Sequence, residues 1–383
     1  MKLCVVAGEA SGDIHAAEVI HELGQLDSDL RTFGIGGDRL AAAGMAILHH
    51  ARDMGIVGLF NVLRHVPMFR RIFHELIERI KLEKPDAILL VDYPDFNLRV
   101  ARAVRKLGIP VIYYISPQVW AWRKRRVRTI AKLVDHMLVI FPFEEPFYRE
   151  HGVPVTYVGH PLVEQLEEAI REPRVPSADG VLRIALMPGS RSMEVEALLP
   201  PMIDAMRSLQ REREVEAFVI RASTIPAERL RTLIEASGLP VRIIESDGRE
   251  ALADADVSVS SSGTATLEAA VLGVPVVVVY KLSPATYLLA KLLVKLPYFS
   301  LVNIVAGKHV VPELLQGAVN GTAIASAVNE LVEPDRYRKV LTELALVRAA
   351  LGGRGASRRA AAKIATLVRD HRRGQNPSER TRA

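Results

Sequence analysis

Short apolar runs alternate with helix-period segments along most of the chain, and this alternation limits the fold more than any other feature. In the N-terminal half the runs are KLCVVAG, RTFGIG, DAILLVD, PVIYYIS, HMLVIF and VTYVG. They are apolar on both faces of the strands they would form, as in parallel sheets that are covered by helices on both sides. The first series therefore predicts an α/β domain.

A second series of the same kind follows a polar, proline-bearing break near Glu164. Its runs are LRIALMPGSR, VEAFVIRAS, VRIIES, DVSVSSSG and PVVVVYK. A length of 383 residues agrees with two or three domains. The sequence thus predicts an α/β protein with two Rossmann-like domains joined by a linker.

Cysteine content and charge exclude several classes of protein. Cys4 is the single cysteine, so no disulfide can form within the chain, as expected in a reducing compartment. No signal-peptide pattern precedes the first strand, and no apolar run reaches the ~20 residues of a membrane-spanning helix. The net charge of +6 comes from the segment that begins at Arg348. This segment contains ten basic residues and only two acidic ones, Asp370 and Glu379. We expect a cytoplasmic protein that binds no nucleic acid and has a basic, solvated or disordered tail.

The segment DYPDFN follows the apolar run AILLV, and ligands of parallel sheets bind where such strands end. Pro94 suits the first position of a helix and favours an extended Tyr93, which places Asp92 at the strand end and Asp95 in the first helical turn. The helix dipole explains an acid at Asp95. Asp92 has no such explanation, so it is the candidate general base.

Two further strand ends favour anions. After LRIALMP, Gly189 permits close backbone approach, Ser190 follows, and Arg191 offers a planar fork for phosphate oxygens. After the strand VSVSS a helix begins near TATLEAAVLG, and the residues at this turn are Ser261, Ser262, Gly263 and Thr264. A helix N-terminus is an anion site. This pattern predicts a diphosphate site.

Glu268 lies one turn into that helix, where a carboxylate would be repelled by phosphate but could accept hydrogen bonds from the two ribose hydroxyls. We therefore interpret it as a ribose contact. The segment DAD at Asp254–Asp256 is similar to the D-x-D of metal-dependent transferases, but it precedes its strand and should lie at the amino end of the sheet. Because a helix N-terminus and an arginine can bind a diphosphate without a metal, no metal or cofactor is predicted.

An apolar stripe with helical spacing runs through LFNVLRHVPMFRRIFHELIERI, with arginines between its members. Most such stripes belong to a core. The width of this one, and Arg70 between Phe69 and Phe73, favour a second interpretation in which these three residues meet acyl chains or a membrane surface.

The motifs GEASGD, DYPDFN, SPQVWAWR, FPFE, YVGHPL, LMPGSR, SSSGTATLE, SLVNIVAG and PELLQ occur in this order. Together they resemble the lipid-A-disaccharide synthase family, inverting glycosyltransferases of Gram-negative outer-membrane biosynthesis, from about Leu3 to Gly352. The resemblance implies the GT-B architecture, with a cleft between the two domains. It also implies transfer of 2,3-diacylglucosamine from UDP to the 6-hydroxyl of 2,3-diacylglucosamine 1-phosphate, forming a β(1→6) disaccharide and UDP.

The same resemblance supplies roles for individual positions. It makes Asp92 the base, assigns the Arg191 loop to the diphosphate and Glu268 to ribose, and adds Asn303 and Gln316 to the donor site and Glu9 and Ser11 to the acceptor site. Three positions differ from the family pattern. Val302 and Asp38 stand where proline is usual, and Met187 replaces a leucine; the first of these bears on the donor loop.

The predicted organisation comprises five segments. They are an acceptor-binding domain over 1–165, a linker over 166–180, a UDP-sugar-binding domain over 181–333, helices over 334–370 that cross back to the first domain, and a disordered basic tail over 371–383. The resemblance implies an enzyme that is peripherally associated with the cytoplasmic face of the inner membrane, and a homodimer is compatible with it.

Two other classes remain open at this point. Another UDP-sugar transferase, or a UDP-sugar epimerase of the same fold, would share Glu268 and Arg191 but not SPQVWAWR. A non-catalytic, membrane-associated scaffold would bind UDP without turnover.

Overall fold

The computed structural model describes residues 1–54, 59–122, 126–171, 180–283, 286–288 and 296–375. The chain divides into two compact units. The first contains Met1–Pro161 and the C-terminal segment from Arg354, and the second contains Leu162–Gly353. Residues 334–353, which the sequence analysis grouped with the returning helices, therefore belong to the second unit. Most of the predicted linker, 172–179, lies outside the described residues.

The first unit contains a parallel sheet in the order β3-β2-β1-β4-β5-β6-β7. Its strands are β1 (Lys2–Ala7), β2 (Arg31–Gly36), β3 (Ala46–His50), β4 (Ala87–Val91), β5 (Val111–Tyr114), β6 (His136–Val139) and β7 (Val155–Tyr157). The central strands are completely buried, which explains why they read as continuous apolar runs.

Helices connect these strands. They are α1 (Ala10–Leu26), α2 (Asp38–Ala42), α3 (Leu59–Glu83), α4 (Pro94–Val104), α5 (Val119–Trp122), α6 (Val127–Leu133), α7 (Glu144–Glu150) and α8 (Pro161–Gln165). The last of them continues across the boundary at Leu162 into the second unit.

The second unit contains another parallel sheet, in the order β10-β9-β8-β11-β12-β13. Its strands are β8 (Leu182–Met187), β9 (Val215–Ile220), β10 (Arg242–Ile244), β11 (Val257–Ser261), β12 (Val276–Tyr280) and β13 (Glu313–Leu315). Its helices are α9 (Ser192–Leu209), α10 (Ala227–Glu235), α11 (Gly248–Ala253), α12 (Thr264–Leu272), α13 (Leu301–Ala306), α14 (Gly321–Val332) and α15 (Pro334–Ala350).

These two sheets confirm the predicted α/β class with two Rossmann-like domains. Every apolar run named above forms a strand, but β3 and β13 were not predicted. Both lie at the edge of their sheet and are only half-buried, so they lack the apolar signature of a strand that is covered on both faces.

The C-terminal segment is ordered further than the sequence suggested. Helix α16 (Ala356–Gln375) packs against α1, and its face of small and apolar residues is buried at Ala360, Ala361, Ile364 and Val368. Arg372 forms an ion pair with Asp86 in the same unit. The prediction of a disordered tail from residue 371 was therefore wrong up to Gln375, because the basic residues occupy the outer face of an amphipathic helix. Residues 376–383 lie outside the described residues.

Asp13, the last residue of GEASGD, connects α1 to the next helix. Its buried carboxylate accepts hydrogen bonds from three backbone N–H groups at the start of α2: those of Gly37 (2.6 Å), Arg39 (3.0 Å) and Leu40 (3.2 Å). A Cβ on Gly37 would lie 2.6 Å from this carboxylate. Asp13 thus caps a helix that has no side-chain cap of its own.

We expect Asp13→Ala to lower the free energy of unfolding by about 2–4 kcal/mol, because three N–H groups would lose a charged acceptor in a buried place. Chemical denaturation followed by circular dichroism measures this. Asp38→Ala is the matched control in the same helix; since that side chain is 83% exposed, its loss should change stability little. Equal effects of the two changes would show that Asp13 is not the cap that fixes α2.

Candidate active site

Asp92 lies at the carboxyl end of a buried strand, as predicted. Strand β4 ends at Val91, helix α4 begins at Pro94, and Asp95 is in its first turn. The prediction of an extended Tyr93 was wrong. Asp92 and Tyr93 both have a φ of 45°, in the left-handed region, and Tyr93 has a ψ of 60°. Two consecutive non-glycine residues in this region carry strain that the surroundings must offset.

Hydrogen bonds to the carbonyl oxygen of Asp92 hold this turn. That oxygen accepts from Asn97 Nδ2 at 2.7 Å and from the hydroxyl of Tyr113, which lies on the neighbouring strand β5. The same Asn97 nitrogen lies 3.1 Å from the carbonyl oxygen of Val91. Asn97 and Tyr113 are completely buried, so these bonds form in a place of low dielectric constant.

The side chain of Tyr93 explains the rest of the turn. Its ring lies against Gly8, where a Cβ would be only 2.5 Å from a ring carbon. Its hydroxyl donates to the carbonyl oxygen of Met54 at 3.0 Å. The first glycine of GEASGD is therefore required by a ring that comes from DYPDFN, which links the two motifs through packing.

The electrostatics of Asp92 differ from those of Asp95. Burial and, to a smaller extent, the negative charge of Glu9 raise the pKa of Asp92 to about 6, although a backbone hydrogen bond from Tyr93 and the charge of His15 act in the opposite direction. Glu9 immediately precedes α1 and is exposed, as is Ser11 in the first turn. Asp95 is exposed and paired with Arg126. A carboxylate with a pKa near neutrality is suited to accept a proton, which distinguishes Asp92.

Glu144 is a functional candidate that sequence reasoning missed. It begins α7, so the helix dipole alone explains an acid there, and nothing in the sequence shows that the side chain is buried. Its carboxylate accepts from Ser116 Oγ, from Trp120 Nε1 (3.2 Å) and from the backbone N–H of Phe141 (3.0 Å), and burial raises its pKa to about 7. It thereby joins the SPQVW and FPFE motifs, which follow β5 and β6.

An apolar cavity of about 550 Å³ opens between α3 and α4, beside Tyr93. Phe69 and Phe73 line it from α3, and Phe73 packs edge-on against Phe96 of α4, with ring centroids 6.1 Å apart. Farther along α3, Leu76 and Ile80 are completely buried in the core. The apolar stripe therefore serves both purposes, core at its C-terminal end and cavity wall nearer its N-terminal end.

In the second unit the Gly189 loop joins β8 to α9. Gly189 has a φ of 122°, and a Cβ there would lie 2.5 Å from a carboxylate oxygen of Glu194. That carboxylate accepts from the N–H of Ser190 (3.2 Å) and pairs with Arg191 (2.8 Å), and Thr224 donates to the carbonyl oxygen of Ser190 (2.6 Å). The loop is fixed, while the guanidinium of Arg191 remains 73% exposed and can reach a ligand.

The turn before α12 leaves the N-terminus of that helix open. Strand β11 ends at Ser261, and Gly263 precedes the helix with a φ of 154° and no side-chain cap. The hydroxyl of Ser262 donates to the carbonyl oxygen of Phe299 (3.1 Å) instead. Thr264 is exposed at the first helical position. Such a terminus is free to bind an anion.

A cavity of about 910 Å³ brings most of the predicted donor residues together. Glu268 lies in it near Arg249; burial raises the pKa of Glu268 and the positive charge of Arg249 opposes the rise. The predicted residues that line this cavity are Gly189, Ser190, Arg191, Ser261, Ser262, Gly263, Thr264 and Glu268. Glycines, hydroxyls, an open helix terminus and arginines suit a nucleoside diphosphate.

Asn303 does not line this cavity. It is completely buried, and its amide nitrogen donates to Val311 O and to Glu313 Oε1, both at 2.9 Å, while its oxygen accepts from the N–H groups of Val310 and Val311. Because its amide nitrogen and oxygen are both hydrogen-bonded in this way, the Asn303 side chain stabilises the loop after α13. These contacts favour a supporting role over direct contact with a donor.

Val302, the departure from the family pattern, is the second residue of α13 and is completely buried. The N–H at this position of a helix has no partner within the helix, so valine and proline fit the same helical start.

Gln316 is also absent from the lining of the donor cavity. Its side-chain oxygen accepts from Leu282 N–H (2.6 Å) and its nitrogen donates to Leu282 O (3.0 Å). This pair imitates the bonding of a further strand residue just beyond β12 and β13. Gln316 forms these two hydrogen bonds with its backbone in the left-handed region, at a φ of 54°.

The DAD segment lies at the amino end of the second sheet, as predicted. Asp256 directly precedes β11, is completely buried, and accepts from the N–H of Arg183 at 2.8 Å. Within the described ranges there is no group of three or more His, Cys, Asp or Glu side chains that could hold a metal ion.

The two Rossmann-like units, with a partly buried carboxylate in one and an open cavity lined by glycines, hydroxyls and arginines in the other, have the GT-B fold, which solved structures of a UDP-GlcNAc 2-epimerase and of a glycosyltransferase share. The S. aureus MnaA–UDP co-structure has a TM-score of 0.63 at 14% identity, with 96% of this chain and 97% of that chain covered. Acinetobacter baumannii MurG has a TM-score of 0.59 at 17% identity, with 95% and 99% covered.

Sequence similarity identifies the family. Residues 3–365 match the family described as lipid-A-disaccharide synthetase. The lipid-A-disaccharide synthases of Myxococcus xanthus and Syntrophus aciditrophicus are each 44% identical to this chain, over 374 and 372 residues, which is 96% and 95% of this chain and 97% of each relative. The chain belongs to the lipid-A-disaccharide synthase family, the glycosyltransferases of lipid A biosynthesis.

We expect Glu9→Gln to lower the pKa of Asp92 towards its ordinary range, because the change removes a like charge while burial remains. A titration of ¹³C-labelled carboxyl groups by NMR should show Asp92 with a midpoint near pH 6 in the parent protein and a lower midpoint in the variant. Glu22→Gln, farther along the same helix, is the charge-matched control. If the midpoint of Asp92 did not change in Glu9→Gln, the charge of Glu9 would have no part in its raised pKa, and burial would be the whole cause.

Proposed function

We propose that the protein transfers 2,3-diacylglucosamine from its UDP carrier to the 6-hydroxyl of 2,3-diacylglucosamine 1-phosphate, with inversion at the anomeric carbon. Family membership supports the reaction class. The observation that carries the residue-level proposal is Asp92, a partly buried carboxylate with a raised pKa at the end of β4. A UDP-sugar epimerase of the same fold would have no need of the cavity for a lipid acceptor beside this acid.

In this proposal Asp92 removes the proton of the 6-hydroxyl as its oxygen attacks the anomeric carbon. Inversion needs a single displacement, in which the carbon–oxygen bond to UDP breaks as the new glycosidic bond forms. Glu9 tunes the basicity of Asp92, and Ser11 lies in the same loop-to-helix turn, available to the acceptor. A base whose pKa lies just below the working pH is ionised and still basic enough to accept the proton.

The leaving UDP acquires negative charge in the same step. The open N-terminus of α12, with Ser261 to Thr264, and the Arg191 loop would stabilise that charge, as helix termini and guanidinium groups do for phosphates elsewhere. Glu268 would accept hydrogen bonds from the ribose hydroxyls, and the positive charge of Arg249 opposes the rise that burial causes in its pKa.

We further propose that the protein works at the cytoplasmic face of the inner membrane, with Phe69, Arg70 and Phe73 meeting acyl chains or the membrane surface. None of the described helices has the length and apolarity needed to cross a bilayer. Val66, one turn from Arg70 on α3, is 39% exposed, so an apolar surface with an interleaved arginine faces solvent there. Diacylated substrates require such a surface.

Asp92→Asn should reduce turnover by about 10²–10⁴, because asparagine cannot accept the proton, and should leave UDP affinity unchanged. A coupled assay for UDP release and calorimetry with UDP measure the two quantities. The pKa of Asp92 is about 6 in the folded protein and 3.8 in the unfolded chain. Its carboxyl group therefore favours folding only at low pH, and this contribution is lost as the pH rises through 6. The variant should therefore melt no lower than the parent at pH 7.5.

Asp95→Asn is the comparison for this experiment. That carboxylate is exposed and paired with Arg126, so its loss should cost far less turnover. If Asp92→Asn retained normal turnover while Asp95→Asn lost it, the two carboxylates would have been assigned the wrong way round.

Glu268→Gln should weaken UDP binding by about ten-fold or more, because charge-assisted hydrogen bonds to the ribose hydroxyls are worth about 1.5–3 kcal/mol each. Calorimetry with UDP and with uracil-only analogues tests this: the affinity for the analogue that lacks ribose should not change. The exposed Glu228→Gln on α10 is the control. Unchanged UDP affinity in folded Glu268→Gln would remove Glu268 from the ribose site.

A further inference from the structure

Two arginines border the apolar cavity of the first unit. Arg70 approaches it from α3 and Arg99 from α4, and both side chains are exposed. Among the described residues neither guanidinium has an ion-pair partner, whereas their neighbours do: Arg71 pairs with Glu75, and Arg126 pairs with Asp95. Two unpaired positive charges at one cavity attract an anion.

The cavity between these arginines suits the apolar part of a ligand. Phe69, Phe73 and Phe96 form its walls, with Val66 at the exposed end. A volume of about 550 Å³ is within the usual range for small-molecule sites. An apolar cavity with a doubly cationic rim is complementary to an amphiphile with an acyl chain and a dianionic head group. Guanidinium is the side-chain group that matches phosphate oxygens in a bidentate manner.

The remaining charged groups of the cavity give the ligand a direction. Glu9 and Asp95 also line it, as does His74. Glu9 is close enough to Asp92 to raise its pKa, so Glu9 marks the end of the cavity near the proposed base, whereas the charge of Asp95 is opposed by its partner Arg126. A phosphate would be repelled from that end and attracted to the arginines. In an acylated glucosamine 1-phosphate different carbon atoms carry the 6-hydroxyl and the phosphate, so the hydroxyl can approach the base while the phosphate contacts the arginines.

We infer that Arg70 and Arg99 form the subsite for the anomeric phosphate of the acceptor, and that the adjoining apolar cavity receives one of its acyl chains. The inference rests on the proposed function, because it names the part of the protein that recognises that acceptor. It makes the two arginines determinants of specificity for a phosphorylated acceptor over the same sugar lipid without phosphate.

Arg70→Gln and Arg99→Gln test this in detergent micelles with two acceptors, diacylglucosamine 1-phosphate and its dephosphorylated form. The parent enzyme should prefer the phosphorylated acceptor. Each variant should raise the KM for that acceptor by about ten- to hundred-fold, as expected for a lost charged hydrogen bond. The KM for the UDP donor and the turnover of the dephosphorylated acceptor should not change. Arg71→Gln on α3 and Arg102→Gln on α4 are matched controls that should retain the preference.

Each alternative outcome has a definite meaning. A parent enzyme that transfers sugar to neither acceptor would refute the proposed function itself. A parent that transfers sugar, together with variants that keep the full preference for phosphate, would refute only the subsite. Sedimentation with phosphatidylglycerol vesicles tests whether the arginines bind lipid phosphate at the membrane surface instead of the acceptor. If both variants lose vesicle binding and keep the acceptor preference, the arginines bind the membrane surface and the inference is wrong.

Discussion

The hydrogen bonds to the carbonyl oxygen of Asp92 are the constraint on which the first unit's site depends. Asn97 and Tyr113 offset part of the strain of two consecutive left-handed residues at the end of β4, where both backbones have a φ of 45°. With them, the chain turns sharply enough to place the Tyr93 ring on Gly8 and to begin α4 at Pro94. The carboxyl group of Asp92 then lies close enough to Glu9 for that charge, together with burial, to raise its pKa.

The ends of the strands in the two units carry different groups, although acids such as Glu194 and Glu268 also line the cavity of the second unit. In the first unit they carry acids, Glu9 before α1, Asp92 after β4 and Glu144 after β6. In the second they carry glycine, serine, an open helix terminus and Arg191. A group that accepts a proton needs the first environment, and a site that binds a diphosphate needs the second. Because each belongs to its own sheet, either can be tuned without the other.

The sequence alone predicted the features that depend on a local pattern of residues. Buried central strands, the turn at Gly189 and the open start of α12 each follow from residues that are adjacent in the chain. It was insufficient wherever partners are distant. The half-buried edges β3 and β13 lack an apolar signature, the geometry of Tyr93 depends on Gly8 and Tyr113, and Gln316 is engaged by Leu282. The preference of a residue before proline for extended backbone was overridden by these tertiary contacts.

Glu144 shows why a buried acid can be retained although burial disfavours its charge. A raised folded pKa of about 7, against 4.5 when unfolded, means that this carboxyl favours folding at low pH and loses that contribution as pH rises through 7. Its two oxygens nevertheless accept from three donors, on Ser116, Trp120 and Phe141. An amide has one acceptor oxygen and could not satisfy all three, which would leave buried donors unpaired. The carboxyl group is therefore required by the two loops it joins, and the first of these loops follows β5, the neighbour of the strand that ends at Asp92.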